Sequence, residues 1–319
     1  MATQKQRSTK SSAKKRKPSA ARTSQSATAL RMTGARRRAG QKRLQEDRKK
    51  RSEEFFRHLK PVRGTRAFGE ATPTLRILAE GDSWFDYPSP GGSIINHLDT
   101  LLKKKAAILN LAHAGDELQQ MLSLAQRQEI ELRLKQGHQR KIPFDALLFS
   151  GGGNDIVGDQ FVSWLRPFTP GATAPDLIDQ PRFGAMLTII DGGYRDLVEI
   201  RDRLSPETKI FVHGYDYPQP TGKGICWLGP WLRPALDARG ITNTTLQFEV
   251  VKEILVQFRT MLQRIASAHS ADFFYVETQG LLEPTKQWWD NEIHPSPKGF
   301  DKIAKAFREV LLAQFPQLA

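Results

Sequence analysis

The stretch TLRILAEGDSWFDY, Thr74–Tyr87, decides the fold. Leu75–Ala79 is a short apolar run of the length and composition of a buried strand. It leads into Gly81, Asp82 and Ser83. A serine just beyond such a strand sits where an open α/β sheet places its reactive groups, and Gly81 lets the backbone turn sharply there. Taken alone, the same three residues also describe a turn serine leading into a helix near Ser93.

The pattern repeats along the chain. Further strands are predicted at Ala107–Leu111, Ala146–Phe149, Lys209–Val212 and Phe273–Val276, and helices at about Ser93–Lys104, Glu117–Lys135, Ala185–Arg203, Thr244–Ala268 and Ser296–Phe315. Alternation repeated five times implies an α/β fold: a doubly wound, mostly parallel five-stranded sheet flanked by helices. Ile156–Pro181 and Tyr215–Ile241 break the rhythm. Both are rich in Pro, Gly and aromatic residues and follow strands, which makes them candidate lids over the crevice at the strand ends.

Three other strand-end or loop blocks carry polar chemistry. SGGGND, Ser150–Asp155, allows a tight turn, and Asn154 has an amide that can donate to a developing oxyanion; an Asx-closed glycine turn is the plainer reading. In NLAHAGDEL, Asn110–Leu118, Gly115 stands before a helix. In WWDNEIHPSPKGF, Trp288–Phe300, His294 lies among turn-formers with Asp290 and Glu292 nearby, the setting of a base whose tautomer is fixed by a partner.

In this order the four blocks resemble the SGNH/GDSL hydrolase superfamily of serine esterases and lipases, over about residues 75–315. The resemblance implies a flavodoxin-like fold with Ser83 as nucleophile and His294 as general base. It further implies an oxyanion hole formed by the backbone N–H groups of Ser83 and Gly115 and the side chain of Asn154, acting on a carboxylic ester, acyl or acetyl, without a cofactor. One position departs from the family pattern. Asn291 stands three residues before His294, where the family carries an aspartate, so Asp290 is the expected third catalytic member, with Asn291 and Glu292 as alternatives.

Trp84, Tyr215 and Trp227 are the expected substrate-pocket residues, with His213, Asp216, Trp164, Phe168 and Trp231 as further aromatic or polar candidates; each also reads as loop packing. No HxxxH or CxxC spacing suggests a metal.

The charge of +14 is unevenly placed. Residues 1–66 hold 22 of the 48 Lys and Arg but only 4 of the 34 Asp and Glu, so the remainder is mildly acidic. This span is expected to be a disordered basic tail, with a short charged helix over about Gln41–Leu59, ahead of an α/β domain over 70–319. The tail suits non-specific contact with nucleic acid or anionic membrane, or simple solvation. One cysteine, Cys226, excludes an internal disulfide, and no apolar stretch has the length of a span or a signal h-region. A cytoplasmic setting is expected, although the tail also has the composition of an organelle transit peptide. Two readings stand beside the esterase: a catalytically silent SGNH-like binding domain, and a nucleic-acid or anionic-surface binding protein acting through the tail.

Overall fold

The computed structural model describes residues 39–40, 42–59, 75–88, 90–103, 105–118, 124–225 and 228–316. Five strands form one sheet: β1 (Leu75–Gly81), β2 (Ala106–Asn110), β3 (Ala146–Ser150), β4 (Lys209–His213) and β5 (Phe273–Val276). Every pairing is parallel, in the order β2-β1-β3-β4-β5. The central strand β3 is buried at all five positions, as a strand covered on both faces must be. The expected strands all form, each within two residues of its expected ends.

The longer helices around the sheet are α1 (Ile94–Leu102), α2 (Leu124–Gln139), α3 (Gln180–Leu204), α4 (Arg233–Ala238), α5 (Thr244–Ala268) and α6 (Pro297–Gln314), and a single helical turn, Gly153–Ile156, follows β3. Helix α1 packs on α6, while α2 packs on α3 and α3 on α5. These are the two helical layers that a doubly wound sheet needs.

Two boundaries depart from the sequence expectation for physical reasons. Helix α3 starts at Gln180, five residues early, because the Asp179 side chain accepts from the Arg182 N–H (3.3 Å). Pro181 then sits in the first turn, where no N–H is required, so it belongs to the helix rather than to the loop. Helix α1 stops at Leu102 because Lys103 turns left-handed (φ 48°). Helix α2 is described from Leu124 and runs on to Gln139, several residues beyond the expected end.

The chain divides into two compact units, Met1–Lys50 and Arg51–Ala319. In the first, residues 42–50 are helical, with Lys42 and Glu46 3.9 Å apart. In the second, residues 51–58 are helical and Phe55 and Phe56 are core residues. Their rings lie 5.4 and 6.1 Å from that of Phe144. Two adjacent phenylalanines in a strongly charged stretch thus join the α/β unit upstream of residue 70. Of the tail expected over 1–66, residues 1–38, which hold the basic clusters, lie outside the described residues, as do 41 and 60–74.

The order of strands places a switch point between β1 and β3, whose C-terminal ends Gly81 and Ser150 are paired. In such sheets the crevice at this point is the ligand site. Gly81 is required there: a Cβ on it would lie 2.7 Å from the Ser150 carbonyl oxygen.

Candidate active site

Past Gly81 the chain folds into a tight turn. The Asp82 carbonyl accepts from the N–H groups of Phe85 (3.1 Å) and Asp86 (3.0 Å), and the Asp82 carboxylate accepts from the Trp84 N–H (3.0 Å). Ser83 is held at the head of this turn. Near the other end of the chain, Pro297 opens α6 and the Ser296 hydroxyl caps it by accepting from Gly299 (3.2 Å). The preceding loop is closed by the Asp290 N–H donating to the His294 carbonyl (2.9 Å).

These two turns, 211 residues apart, bring the Ser83 hydroxyl to 2.8 Å from His294 Nε2. Both residues are buried yet line one cleft with Tyr87, Gly115, Asn154, Ile225, Leu228, Trp231 and Ile293, with a volume of about 190 Å³. Burial lowers the pKa of His294 to about 4, against an opposing pull from Asp290. The ring is therefore neutral at neutral pH, with a lone pair able to take a proton.

The other imidazole nitrogen, Nδ1, lies 2.9 Å from Asn291 Oδ1. The same oxygen accepts from the backbone N–H groups of Ile293 (3.1 Å) and His294 (3.0 Å). Two N–H groups converging on one amide oxygen fix its orientation, so the third partner, Nδ1, carries the proton. Nε2 is then the acceptor and the Ser83 hydroxyl the donor.

The expectation that Asp290 contacts His294 is corrected. The Asp290 carboxylate accepts from the Tyr87 hydroxyl (2.8 Å) instead, and Asn291 takes the place on the imidazole. The cause is local: Asn291 folds back over the loop as an Asx turn, which sends the neighbouring side chain the other way. Glu292 has a different task. Its buried carboxylate accepts four backbone N–H groups, from Gly222 (2.8 Å), Trp231 (2.6 Å), Leu232 (2.9 Å) and Arg233 (3.1 Å).

Glu292 thereby ties the segment 222–233, which supplies Ile225, Leu228 and Trp231 to the cleft, to the loop that carries His294. The Trp231 ring meets the imidazole edge-on at 5.4 Å.

Gly115 (φ +88°) reaches the cleft from the loop after β2, and Asn154 from the short helix Gly153–Ile156 after β3. The Asn154 amide donates to the Asp116 carbonyl (2.9 Å); an amide has two N–H groups, so one remains for a ligand oxygen. Asp155 faces the other way, accepting from the Leu118 N–H (2.7 Å).

Of the expected pocket residues, Trp84 and Tyr215 are buried and border a second, smaller pocket of about 40 Å³ that Ser83 and Asn154 also line, with Ile156, Val157 and Leu255. Trp84 donates to the Ile293 carbonyl (3.1 Å) and Tyr215 to the Asp82 carboxylate (2.6 Å). Asp216 borders the same small pocket and accepts from the N–H groups of Gly280 and Leu282 (both 2.6 Å). His213 is wholly buried and bonded to Ser150 (2.9 Å). Trp164 packs the first lid segment, donating to the Ile156 carbonyl (2.8 Å), whereas Phe168 is exposed. Trp227 lies outside the described residues. Among the described residues, no group of three or more His, Cys, Asp or Glu side chains is arranged to hold a metal ion, and no helix is long and apolar enough to cross a membrane.

Tyr87 and Trp231 stand out as the residues that sequence reading underrated. Tyr87 stacks on His294 with ring centroids 4.5 Å apart. Its only sequence signal was membership of the Thr74–Tyr87 block.

Solved structures with a similar course include a lipase, Lip_vut3, from a goat rumen metagenome (16% identity, 74% of this chain and 97% of that one, TM-score 0.47). Others are an extracellular lipase from Streptomyces rimosus (13%, 74% and 99%, 0.46) and a family 3 carbohydrate esterase from Clostridium thermocellum (18%, 75% and 98%, 0.44). No curated protein matches the sequence. The model of the GDSL-like lipase/acylhydrolase family matches residues 79–302, a span that begins within β1 ahead of Ser83 and ends beyond His294. The chain belongs to that family, whose members are hydrolases acting on ester bonds.

Proposed function

We propose that the protein hydrolyses a carboxylic ester through an acyl-enzyme on Ser83. The observation that carries this reading is the 2.8 Å hydrogen bond from the Ser83 hydroxyl to His294 Nε2, in a cleft that Gly115 and Asn154 also line. As Ser83 Oγ bonds to the ester carbonyl carbon, its proton passes to Nε2 and the carbonyl oxygen takes the negative charge. The backbone N–H groups of Ser83 and Gly115 and the Asn154 amide are the donors for that oxygen. Collapse returns the proton to the leaving alcohol, and water then repeats the cycle in reverse order to release the acid.

The division of labour follows from environment. The depressed pKa of His294 keeps it a base down to about pH 4, and Asn291 holds its Nδ1–H. The cleft walls are largely apolar, with Ile225, Leu228, Trp231 and Ile293, which suits the uncharged ester group and excludes water from the reacting oxygen.

The test is covalent labelling of the full-length protein with a fluorophosphonate, alongside hydrolysis of p-nitrophenyl acetate. Labelling that disappears in Ser83→Ala, together with loss of hydrolysis, is the expected result. A protein that binds an ester but neither labels nor turns it over is the silent binding domain instead. The reading of the basic tail as a nucleic-acid or membrane contact is separated by removing residues 1–38: hydrolysis is expected to persist, because the described residues that line the cleft all lie at or beyond Ser83.

A further inference from the structure

An asparagine beside a catalytic imidazole has two handicaps. It carries no charge to balance an imidazolium, and it can turn its NH₂ toward the ring and hold the wrong tautomer. In a serine protease triad the change from Asp to Asn costs roughly 10⁴ in kcat for the second reason. Asn291 is protected from that fault. Its Oδ1 is claimed by the N–H groups of Ile293 and His294, and its Nδ2 donates to the Tyr87 hydroxyl (3.0 Å).

The hydrogen-bonded series continues from there. Having accepted from the amide, Tyr87 donates its own proton to the Asp290 carboxylate (2.8 Å). An anion therefore lies three hydrogen bonds from the imidazole, joined to it by groups whose donor and acceptor directions all agree. Each bond in such a series polarises the next, so the amide oxygen facing Nδ1 becomes a stronger acceptor. The Tyr87 ring, stacked on the imidazole at 4.5 Å, fixes the geometry.

We propose that Tyr87 and Asp290 are positioning residues that hold Asn291 carbonyl-first against His294 and, by polarising the amide, let the Asp290 carboxylate stabilise the imidazolium in place of a carboxylate at position 291. The inference rests on the reading of Ser83 and His294 above. In the acylation step one proton moves, from Ser83 Oγ to His294 Nε2, while the Ser83 oxygen bonds to the carbonyl carbon. Nδ1, Tyr87 and Asn291 keep their protons throughout, and none passes to Asp290.

Among the described residues, the other charged groups near the ring are already committed. Lys223 lies 4.0 Å from Asp290 Oδ1 and donates to the Asp290 backbone carbonyl. Glu292 is engaged by four N–H groups, and on the Gly115 loop His113 is paired with Asp116 at 3.4 Å. Asp290 is thus the anion in line with the ring.

The experiment uses the full chain carrying Tyr87→Phe, Asp290→Asn, both together, and Asn291→Asp with and without Asp290→Asn. Nitrogen-15 spectra of the His294 imidazole report tautomer and titration midpoint whether or not the protein turns over an ester, and p-nitrophenyl acetate kinetics report catalysis. Tyr87→Phe and Asp290→Asn are each expected to lower the midpoint and to cut kcat about tenfold with KM within twofold. The double variant should fall no further than the worse single one. Asn291→Asp should raise the midpoint and make Asp290→Asn silent. An imidazole unchanged in tautomer and midpoint in both single variants overturns the proposal, as do effects that multiply. Loss of the Ser83 reading would show separately, as absent labelling with the imidazole shifts intact.

Discussion

Two serine–histidine pairs sit one layer apart in this molecule, built from almost the same side chains. Ser83 and His294 are 2.8 Å apart at the cleft; Ser150 and His213 are 2.9 Å apart beneath it. Each cluster also contains a tyrosine hydroxyl donating to an aspartate, Tyr87 to Asp290 and Tyr215 to Asp82. Both imidazoles are depressed by burial, to about 4 and about 3. What separates them is the direction in which the protons point.

In the inner cluster His213 Nδ1 accepts from the Tyr215 N–H (3.2 Å), so Nε2 must donate to Ser150, whose hydroxyl donates onward to Asp82 (2.9 Å). The histidine there is a donor and cannot take the serine's proton. At the cleft the Asn291 oxygen claims Nδ1–H, leaving Nε2 to accept from Ser83. One set of residue types therefore makes a structural hub in one place and a candidate base–nucleophile pair in another. The choice is set by what faces Nδ1. Asp82 bears the cost of the hub: burial raises its pKa to about 6 against the hydrogen bonds from Tyr215, Trp84 and Ser150.

The sharpest way to break this comparison is to delete each serine. Ser83→Ala is expected to remove at least a thousandfold of ester hydrolysis while leaving thermal unfolding nearly unchanged. Ser150→Ala should retain fluorophosphonate labelling of Ser83 but lose about 1–3 kcal/mol of stability in denaturant unfolding, because it strands the buried His213 N–H and removes one of the hydrogen bonds to the buried Asp82 carboxylate. If both variants lose activity and keep stability, the two clusters are not distinct in role.

Next in size is the oxyanion. Asn154→Ala is expected to cost about 10²–10³ in kcat, with KM little changed, read from steady-state kinetics on a short p-nitrophenyl ester. A loss confined to KM would place Asn154 in ground-state binding.

Glu292→Gln probes how the cleft wall is tied down. A neutral amide puts an NH₂ where an acceptor is needed, so stability is expected to fall by about 2–3 kcal/mol, with a several-fold rise in KM as Ile225, Leu228 and Trp231 loosen. Unchanged KM would mean that this wall stands without the tether.

The smallest effects are those of pH. A base with a lowered pKa works above that value, so the acid limb of kcat/KM is expected near pH 4 rather than at the ordinary histidine value. Stability carries two opposed contributions. The imidazoles of His213 and His294 take up protons more readily when unfolded, so they stabilise the fold above about pH 6.5 and lose that contribution as pH falls towards 4 and 3. Asp82 has the opposite sign: its raised pKa favours the fold below about 3.8 and that contribution is lost as pH rises through about 6. Unfolding of Asp82→Asn compared with the parent across pH 4–7 separates the two, and an identical pH slope would remove Asp82 from the account.

Much of this was legible in the chain because it is local. Strand lengths follow from apolar runs such as Leu75–Ala79, and the turn after β1 follows from Gly81, at which no side chain fits against Ser150. The order of the Ser83, Gly115, Asn154 and His294 blocks is likewise a property of the sequence. The partner of His294 was not legible. Asp290, Asn291 and Glu292 are consecutive, and which of them meets the imidazole depends on a turn closed by hydrogen bonds, not on residue type. Tyr87 and Asp290 touch across 203 residues, a separation that periodicity does not encode. The opposite polarities of the two serine–histidine pairs are decided in the same way, because a proton's position on an imidazole is set by the groups that the fold brings to its two nitrogens.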